Sequence, residues 1–330
     1  MEHKALDVIA IGNAIVDVVV AVDDAYLAAQ GIPKGGMTLI DMEQAEAIYK
    51  RLEKTNEISG GSAANTAAGI ASLGGKASFI GRVRDDKLGH NFAESIRAIG
   101  VHYETSPAKE GKATARCFVF VTPDAQRTMM TFLGASTEIG PDDVSTSALK
   151  QAGILYIEGY LWDADGAKKA VLKAIHAIKE AGGRVAFSAS DSFCISRHRA
   201  EFRDLLRNDV DILFANEDEI TSLYEVDDFE DATKAVVRDV GIAALTRSEK
   251  GSVIVSRSER LVSPALQVEH VIDTTGAGDL FAAGFLFGLS KGRRLADCAR
   301  LGGIAAAEVI SHFGARPEKS LADFVQRHGL

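Results

Sequence analysis

Short β-branched runs alternate along the chain with longer stretches whose apolar residues recur every three to four positions. Val8–Ile11, Ser78–Gly81, Ile154–Ile157, Val185–Ser188, Asp211–Phe214 and Ile242–Leu245 read as buried strands. Between them lie helical patterns such as 164–181, with apolar Ala167, Ala170, Val171, Ala174, Ile175 and Ile178 on one face. Continuous apolar strands separated by amphipathic helices predict a mainly parallel sheet covered on both faces, an α/β fold. Its crossovers are expected to be right-handed.

Two stretches break this rhythm. Residues 14–41 hold "VDVVVAV" and "GMTLID", and residues 101–134 hold "TARCFVFV" and "RTMMTFL" around the turn-like "TPDAQ". Both predict strands with no long helix between them. Two such excursions from one α/β body predict a small β-sheet lid able to cover a ligand and exclude water. No Pro-, Gly- or Ser-rich linker and no internal repeat divides the chain, so residues 1–330 are expected to form a single domain.

Composition narrows the function. Hydrophobic residues make up 46% and charged residues 25% of the 330, as in ordinary globular proteins. There are 46 acidic against 37 basic residues, a net charge of −9, which gives no electrostatic drive toward nucleic acid or an anionic membrane. Cys117, Cys194 and Cys298 are isolated and odd in number, which argues against a disulfide framework or structural zinc and for a reduced, cytoplasmic setting. The start of the chain, Met1–Gly12, lacks a signal peptide's basic and apolar pattern, and no segment reaches the ~20 apolar residues that span a bilayer.

The strongest chemistry lies in Asp273–Gly284, "DTTGAGDLFAAG". A glycine cluster after a strand opens an apolar helical run. Gly276, Ala277 and Gly278 let backbone N–H groups approach an anion, and the helix N-terminus adds its dipole. Asp279, in the first turn, is placed to accept a proton from a hydroxyl that attacks a phosphoryl group. The plainer reading is an acid that complements the helix dipole. The chain has neither GxGxxG nor GxxxxGK[ST], so an NAD-dependent enzyme and a P-loop protein both lack their signatures.

These residues carry a resemblance. "DTTGAGD" with "AAGF" resembles the C-terminal signature of the ribokinase-like, phosphofructokinase-B-type, carbohydrate and nucleoside kinases. "GGSAANTAAGIASLGG" with "FIGRVRDDKLG", over Gly60–Gly89, is similar to that family's N-terminal motif, and "NEDE" at Asn216–Glu219 to its NxxE motif. The resemblance runs in order from Gly12 to Pro317. It implies a parallel sheet between helices with a β lid, an ATP-dependent kinase with Mg²⁺, and in some relatives a monovalent cation such as K⁺ near the anion loop. It implies Asp279 as base and Gly276, Ala277 and Gly278 as the anion hole, with Thr275 beside the nucleotide. Asn216 and Glu219 then organise Mg²⁺ through water, or simply form a helix capping box.

On the acceptor side the resemblance implies Asn13 and Asp17 of "GNAIVD", and Gly60, Gly61, Ser62 and Asn65 of "GGSAAN", as binders of sugar hydroxyls. A lone acid such as Asp17 inside an apolar strand is rare without a partner, whereas Asn65 also suits a helix start. Arg127 aligns with a lid arginine that reaches phosphates, although a solvated hairpin arginine fits equally well. Thr246 and Gly251 of "ALTRSEKGSV" match the family's turn beside ATP, with Ser248 where a glycine is usual. "SHFGARP" matches the segment lining the nucleotide base, with His312 and Gly314 as wall. The pattern is closest to the adenosine kinase branch, with Tyr160 and Trp162 offering a purine an aromatic face or simply packing. A sugar kinase of the same family and a non-catalytic nucleotide-binding regulator are the alternatives. A lid that covers its own site is compatible with a monomer, and an open lid edge with a homodimer.

Overall fold

The computed structural model describes residues 4–52, 56–124 and 126–330. Met1, Glu2 and His3 of the N-terminal stretch, and Ala125 of the "TPDAQ" turn, lie outside them. Among the described residues the main sheet has nine strands, in the order Arg260–Ser263, Ser252–Ser256, Ile242–Thr246, Ile212–Asn216, Arg184–Ser188, Ala152–Glu158, Leu6–Ile11, Ala77–Ile80 and His102–Tyr103. From Ile242–Thr246 to His102–Tyr103 every pairing is parallel. The six strands expected from apolar runs all form. The edge hairpin, in which Ser252–Ser256 pairs antiparallel with both Ile242–Thr246 and Arg260–Ser263, was not anticipated.

Helix Asp165–Glu180 covers one face of the sheet and buries Ala167, Ala170, Val171, Ala174, Ile175 and Ile178, the stripe its sequence period predicts. Two aliphatic cores result, one on each side. Burying each large side chain contributes about 1.5–3 kcal/mol. The three cysteines are buried and unbridged. Among the described residues no helix is long and apolar enough to cross a membrane.

A second, five-stranded sheet stands over the C-terminal ends of the main strands. Its order is Met37–Leu39, Arg127–Phe132, Ala115–Val121, Ile15–Ala21 and Asn56–Gly60. The lid therefore differs from the expected 14–41 plus 101–134 in two ways. Asn56–Gly60 joins it, pairing antiparallel with Ile15–Val19. His102–Tyr103 leaves it, because Ser78 and Phe79 of the main sheet pair with those two residues.

Two helices bring the sequence motifs together. Ser62–Ser72 and Ala277–Ser290 pack face to face at Gly69, where an added Cβ would lie 2.6 Å from Ala283 and Leu280. The missing side chain permits the close approach, and it sets the helix starts, at Ser62 and Asp279, within hydrogen-bond reach.

The unusual loop also has a physical cost. Ser248, in the position where a glycine is common, holds φ at 51°. A left-handed conformation costs an L-residue about 1–2 kcal/mol, partly offset by the entropy a glycine loses on folding. Ser248→Gly is expected to stabilise the fold by about 0.5–1 kcal/mol. Urea unfolding measures it, and an unchanged midpoint would mean that the strand ends hold the turn without strain.

Candidate active site

A cavity of about 1320 Å³ opens between the lid and the main sheet. Asn13, Asp17, Gly61, Ser62, Asn65, Arg127, Tyr160, Thr275, Asp279 and Gly314 all line it, so most of the acceptor-side residues expected from sequence converge on one space.

Asp279 sits at its floor. Ser62 Oγ donates to Asp279 Oδ1 at 2.6 Å, and Asn65 Nδ2 donates to Oδ2 at 3.1 Å. Burial pushes the Asp279 carboxyl above its ordinary range, and these two hydrogen bonds pull it back. The plainer role of a dipole-complementing acid does not account for a half-buried carboxylate held at both oxygens. At the helix start, Gly276 adopts φ 78° and abuts Ala315, 2.7 Å from where a Cβ would stand. Ala277 N–H donates within the turn to Thr274 O at 3.2 Å. No side chain caps this helix, which leaves first-turn amides without a side-chain acceptor.

Asp17 projects from the lid strand into the cavity and lies against Gly60, where any Cβ would strike its carboxylate. Gly60 is thus a support behind Asp17 and does not itself line the space. No hydrogen bond reaches the Asp17 carboxylate among the described residues. Burial drives its carboxyl up to about 6, against the pull of Arg316 and Arg127, and Asp279 adds to the rise. Gly61 has φ 97° and packs on the Asn13 carbonyl, a fit closed to other residues.

Three acidic or basic residues of the site were missed in the sequence. Glu158, buried, accepts from Asn13 Nδ2 at 2.8 Å and from Ala63 N–H at 3.0 Å. Burial raises its carboxyl to about 7, although both hydrogen bonds oppose this. Asn13 is therefore held by Glu158 and reaches the cavity only in part. Asp273 accepts from Thr275 N–H at 3.0 Å and Gly314 N–H at 2.9 Å, and pairs with Arg127 at 2.7 Å. Arg316 donates from Nε to Asn65 Oδ1 at 3.2 Å and from Nη1 to Ser59. A lone acid ending the apolar strand before "GYLW" was the available signal for Glu158. The other two stood inside quoted motifs.

Arg127 is not a solvated hairpin cation. Its side chain is 10% exposed, ties the lid to Asp273 and lies 5.7 Å from the Phe313 ring, while Nε and Nη2 lack an aligned acceptor. Tyr160 lines the cavity and donates to Ser190 O at 3.4 Å. Trp162 does not join it. The turn Gly159–Asp163 swings Trp162 into the core, where it packs on Phe187 and Phe202 and donates to Glu201. The exposed aromatic rings at the cavity are Phe193 and Phe313.

Asn216, Glu219, Thr246 and Gly251 lie outside this cavity, along the neighbouring strand ends. Asn216 caps helix Glu217–Tyr224 in a reciprocal box, with Glu219 N–H donating to Asn216 Oδ1 at 2.8 Å and Asn216 N–H to Glu219 Oε2 at 2.9 Å. The capping role is thus observed. Burial, reinforced by Asp191, Asp218 and Asp279, raises Glu219 to about 7. Asn216 pairs in register with Thr246, and Gly251 opens the edge hairpin. His312 does not face the cavity. It turns back onto buried Glu308, Nε2 to Oε2 at 3.2 Å, because Glu308 also anchors Lys319 N–H and draws the imidazole inward. Among the described residues no group of three or more His, Cys, Asp or Glu is arranged to hold a metal.

A β lid over a doubly covered parallel sheet, with a half-buried carboxylate at a glycine-opened helix start, defines a class of phosphotransferases. The chain belongs to the pfkB family of carbohydrate kinases, whose model matches residues 29–321. It is therefore an ATP-dependent kinase with an alcohol group as acceptor, acting on a sugar or nucleoside. An adenosine kinase from Sinorhizobium meliloti is similar at 49% identity, with 98% of this chain and 99% of that one covered and a TM-score of 0.91. A probable sugar kinase from Rhizobium etli CFN 42 is similar at 48% identity, 99% of each chain covered and a TM-score of 0.92. A 5-dehydro-2-deoxygluconokinase from Geobacillus thermodenitrificans is 25% identical over 94% of this chain and 89% of its own.

Proposed function

We propose that this kinase phosphorylates the 5′-hydroxyl of a nucleoside, with adenosine as the preferred acceptor. The observation that carries the reading is the two-ended character of the cavity. Asp17, Asn65 and Asp279 make one part polar, whereas Val19, Met37, Leu39 and Met129 of the lid, with Phe313 of the C-terminal loop, supply apolar lining. A nucleoside matches both ends, with a hydroxylated ribose and a flat base whose faces tolerate apolar contact. A free sugar carries hydroxyls around its ring, and each one left against the apolar wall costs about 1–3 kcal/mol.

In this reading Asp17 accepts hydrogen bonds from the ribose diol and points the 5′-hydroxyl at Asp279. Asp279 takes the hydroxyl proton as the oxygen attacks the γ-phosphorus, and the bond to the departing ADP oxygen breaks in line. The free amides of the 276–278 turn stabilise the transferring group, and Arg127, held to Asp273 in an ion pair, brings a guanidinium to the lid side of the site. Thr246, Gly251, Thr275 and Gly314 border the nucleotide. Glu219, with Asn216 beside it, would hold Mg²⁺ through water, and a divalent cation there would offset the effect of Asp191 and Asp218, which raise the Glu219 carboxyl.

The test is ADP release with MgATP and a matched panel of adenosine, inosine, guanosine, cytidine, ribose, fructose and 2-keto-3-deoxygluconate. Adenosine is expected to give the highest kcat/KM, by about tenfold or more over any free sugar. A free sugar or sugar acid at the top would replace the nucleoside reading while leaving Asp17 and Asp279 in place. Turnover of none would favour a non-catalytic binder.

A further inference from the structure

Asp279 reaches its partners through a chain of hydrogen bonds that begins in a different part of the fold. Arg316, in the loop after helix Leu295–Val309, is anchored by Ser59 at the end of the lid strand Asn56–Gly60. Its Nε donates to Asn65 Oδ1 at 3.2 Å, and Asn65 Nδ2 donates to Asp279 Oδ2 at 3.1 Å. The geometry points to Arg316 as a positioning residue that acts through Asn65 to keep Asp279 ready to accept a proton.

A guanidinium only donates, and an ionised carboxylate only accepts. An amide between them has one orientation that satisfies both, with its oxygen toward Arg316 and its nitrogen toward Asp279. Without Arg316 the amide is free to turn over. Its oxygen would then face Asp279 Oδ2, and two acceptors in contact are reconciled only by a proton on the carboxyl. A protonated Asp279 cannot take the acceptor's proton. Arg316 therefore biases the base toward its working state without touching the reacting atoms.

Other groups also bear on this carboxylate. Asp17 on the lid, Glu158 at the end of its strand, Glu219 on its helix and Tyr156 in the sheet all interact with Asp279 electrostatically. The charge on Asp279 raises all four groups, while its own carboxyl is set by burial and by its two hydrogen bonds. Arg127 and Arg316 both act on Asp17, the acid beside it, and so temper that repulsion. Asn65 and Ser62 supply the direct hydrogen bonds that favour the ionised form. Arg316 sits behind one of those two bonds, and a loss there is not made good by another donor among the described residues.

The inference rests on Asp279 being the base, so the experiment includes Asp279→Asn alongside the Arg316 variants. The measurement is kcat against pH, from about 4.5 to 9, with the best acceptor of the panel. For Arg316→Met the acid limb is expected to move up by about one pH unit, so that turnover falls about tenfold below the limb and less than about threefold above it. Arg316→Lys keeps a donor-only cation, so its limb is expected to stay within about 0.3 units of the native one. An even loss at every pH in Arg316→Met, with the limb unmoved, would overturn the proposal and leave Arg316 as a packing or acceptor contact. Should Arg316→Met not fold, Arg316→Lys decides alone, since a limb displaced by a full unit there contradicts the donor-only argument. If Asp279→Asn keeps its turnover, the base assignment falls first. If Asp279→Asn is inactive and the Arg316 limbs do not move as stated, only the present inference falls.

Discussion

Asp279→Asn lowers kcat by about two to four orders of magnitude, while KM for acceptor and ATP moves by less than about threefold. The substitution keeps the shape of the side chain and an oxygen for the Ser62 hydroxyl, so the floor of the cavity stays filled. It removes the one lone pair that takes the acceptor's proton in the transition state. An interaction made only in the transition state lowers kcat without a matching change in binding. The native enzyme should report the same group through pH. Burial raises the Asp279 pKa above the ordinary carboxylate range, and only the ionised form acts as a base. Activity is therefore present above that pKa and lost as the pH falls through it, earlier than an exposed aspartate would cause. Steady-state ADP release across pH checks both points. A variant that retains more than about a tenth of native kcat would take Asp279 out of the base role.

This carboxylate was legible in the sequence because its setting is local. A glycine turn, a helix start and an acid in the first turn are all contained in "DTTGAGD", and chain physics alone places them together. The six central strands were legible for a similar reason, since a strand buried on both faces has to be apolar throughout. Asn56–Gly60 was not, because "NEISG" is half polar and becomes a strand only by pairing with Ile15–Val19. His102–Tyr103 was assigned to the lid because two residues carry no period, and their partner is 24 positions away. Glu158, Asp273 and Arg316 show the corresponding limit for the site. Each is recognisable by the partner it holds, Asn13, Arg127 and Asn65 respectively, and none of those partners is near in sequence. Between the two readings left open for Trp162, packing is the observed one, because one short turn of 3₁₀ helix rotates the aromatic pair so that Tyr160 faces the cavity and Trp162 the core.

Asp17→Asn should separate function from stability at a single atom. The carboxylate is half-buried on the lid face, takes no hydrogen bond among the described residues, and has its pKa pushed up to about 6 from 3.8, chiefly by burial. A pKa that is higher folded than unfolded means that the folded state binds more protons between those values. Stability is then greatest below about pH 4, declines as the pH rises toward about 6, and stays reduced above it, by about 3 kcal/mol for a shift near two units. An amide of the same shape carries no such penalty. Asp17→Asn is expected to be more stable than the native chain by about 2 kcal/mol at pH 7.5, and the difference should close as the pH falls to about 4. The acceptor reverses the ranking. A charged carboxylate that accepts two hydroxyls contributes about 1.5–3 kcal/mol per hydrogen bond, so kcat/KM for a diol-bearing acceptor should fall by about a hundredfold or more. Unfolding midpoints at pH 4 and 7.5, with and without saturating acceptor, read both halves. Acceptor should stabilise the native chain far more than the variant. A variant less stable than native at pH 7.5, with acceptor affinity retained, would mean that Asp17 is a structural acid and that the diol is held elsewhere in the cavity.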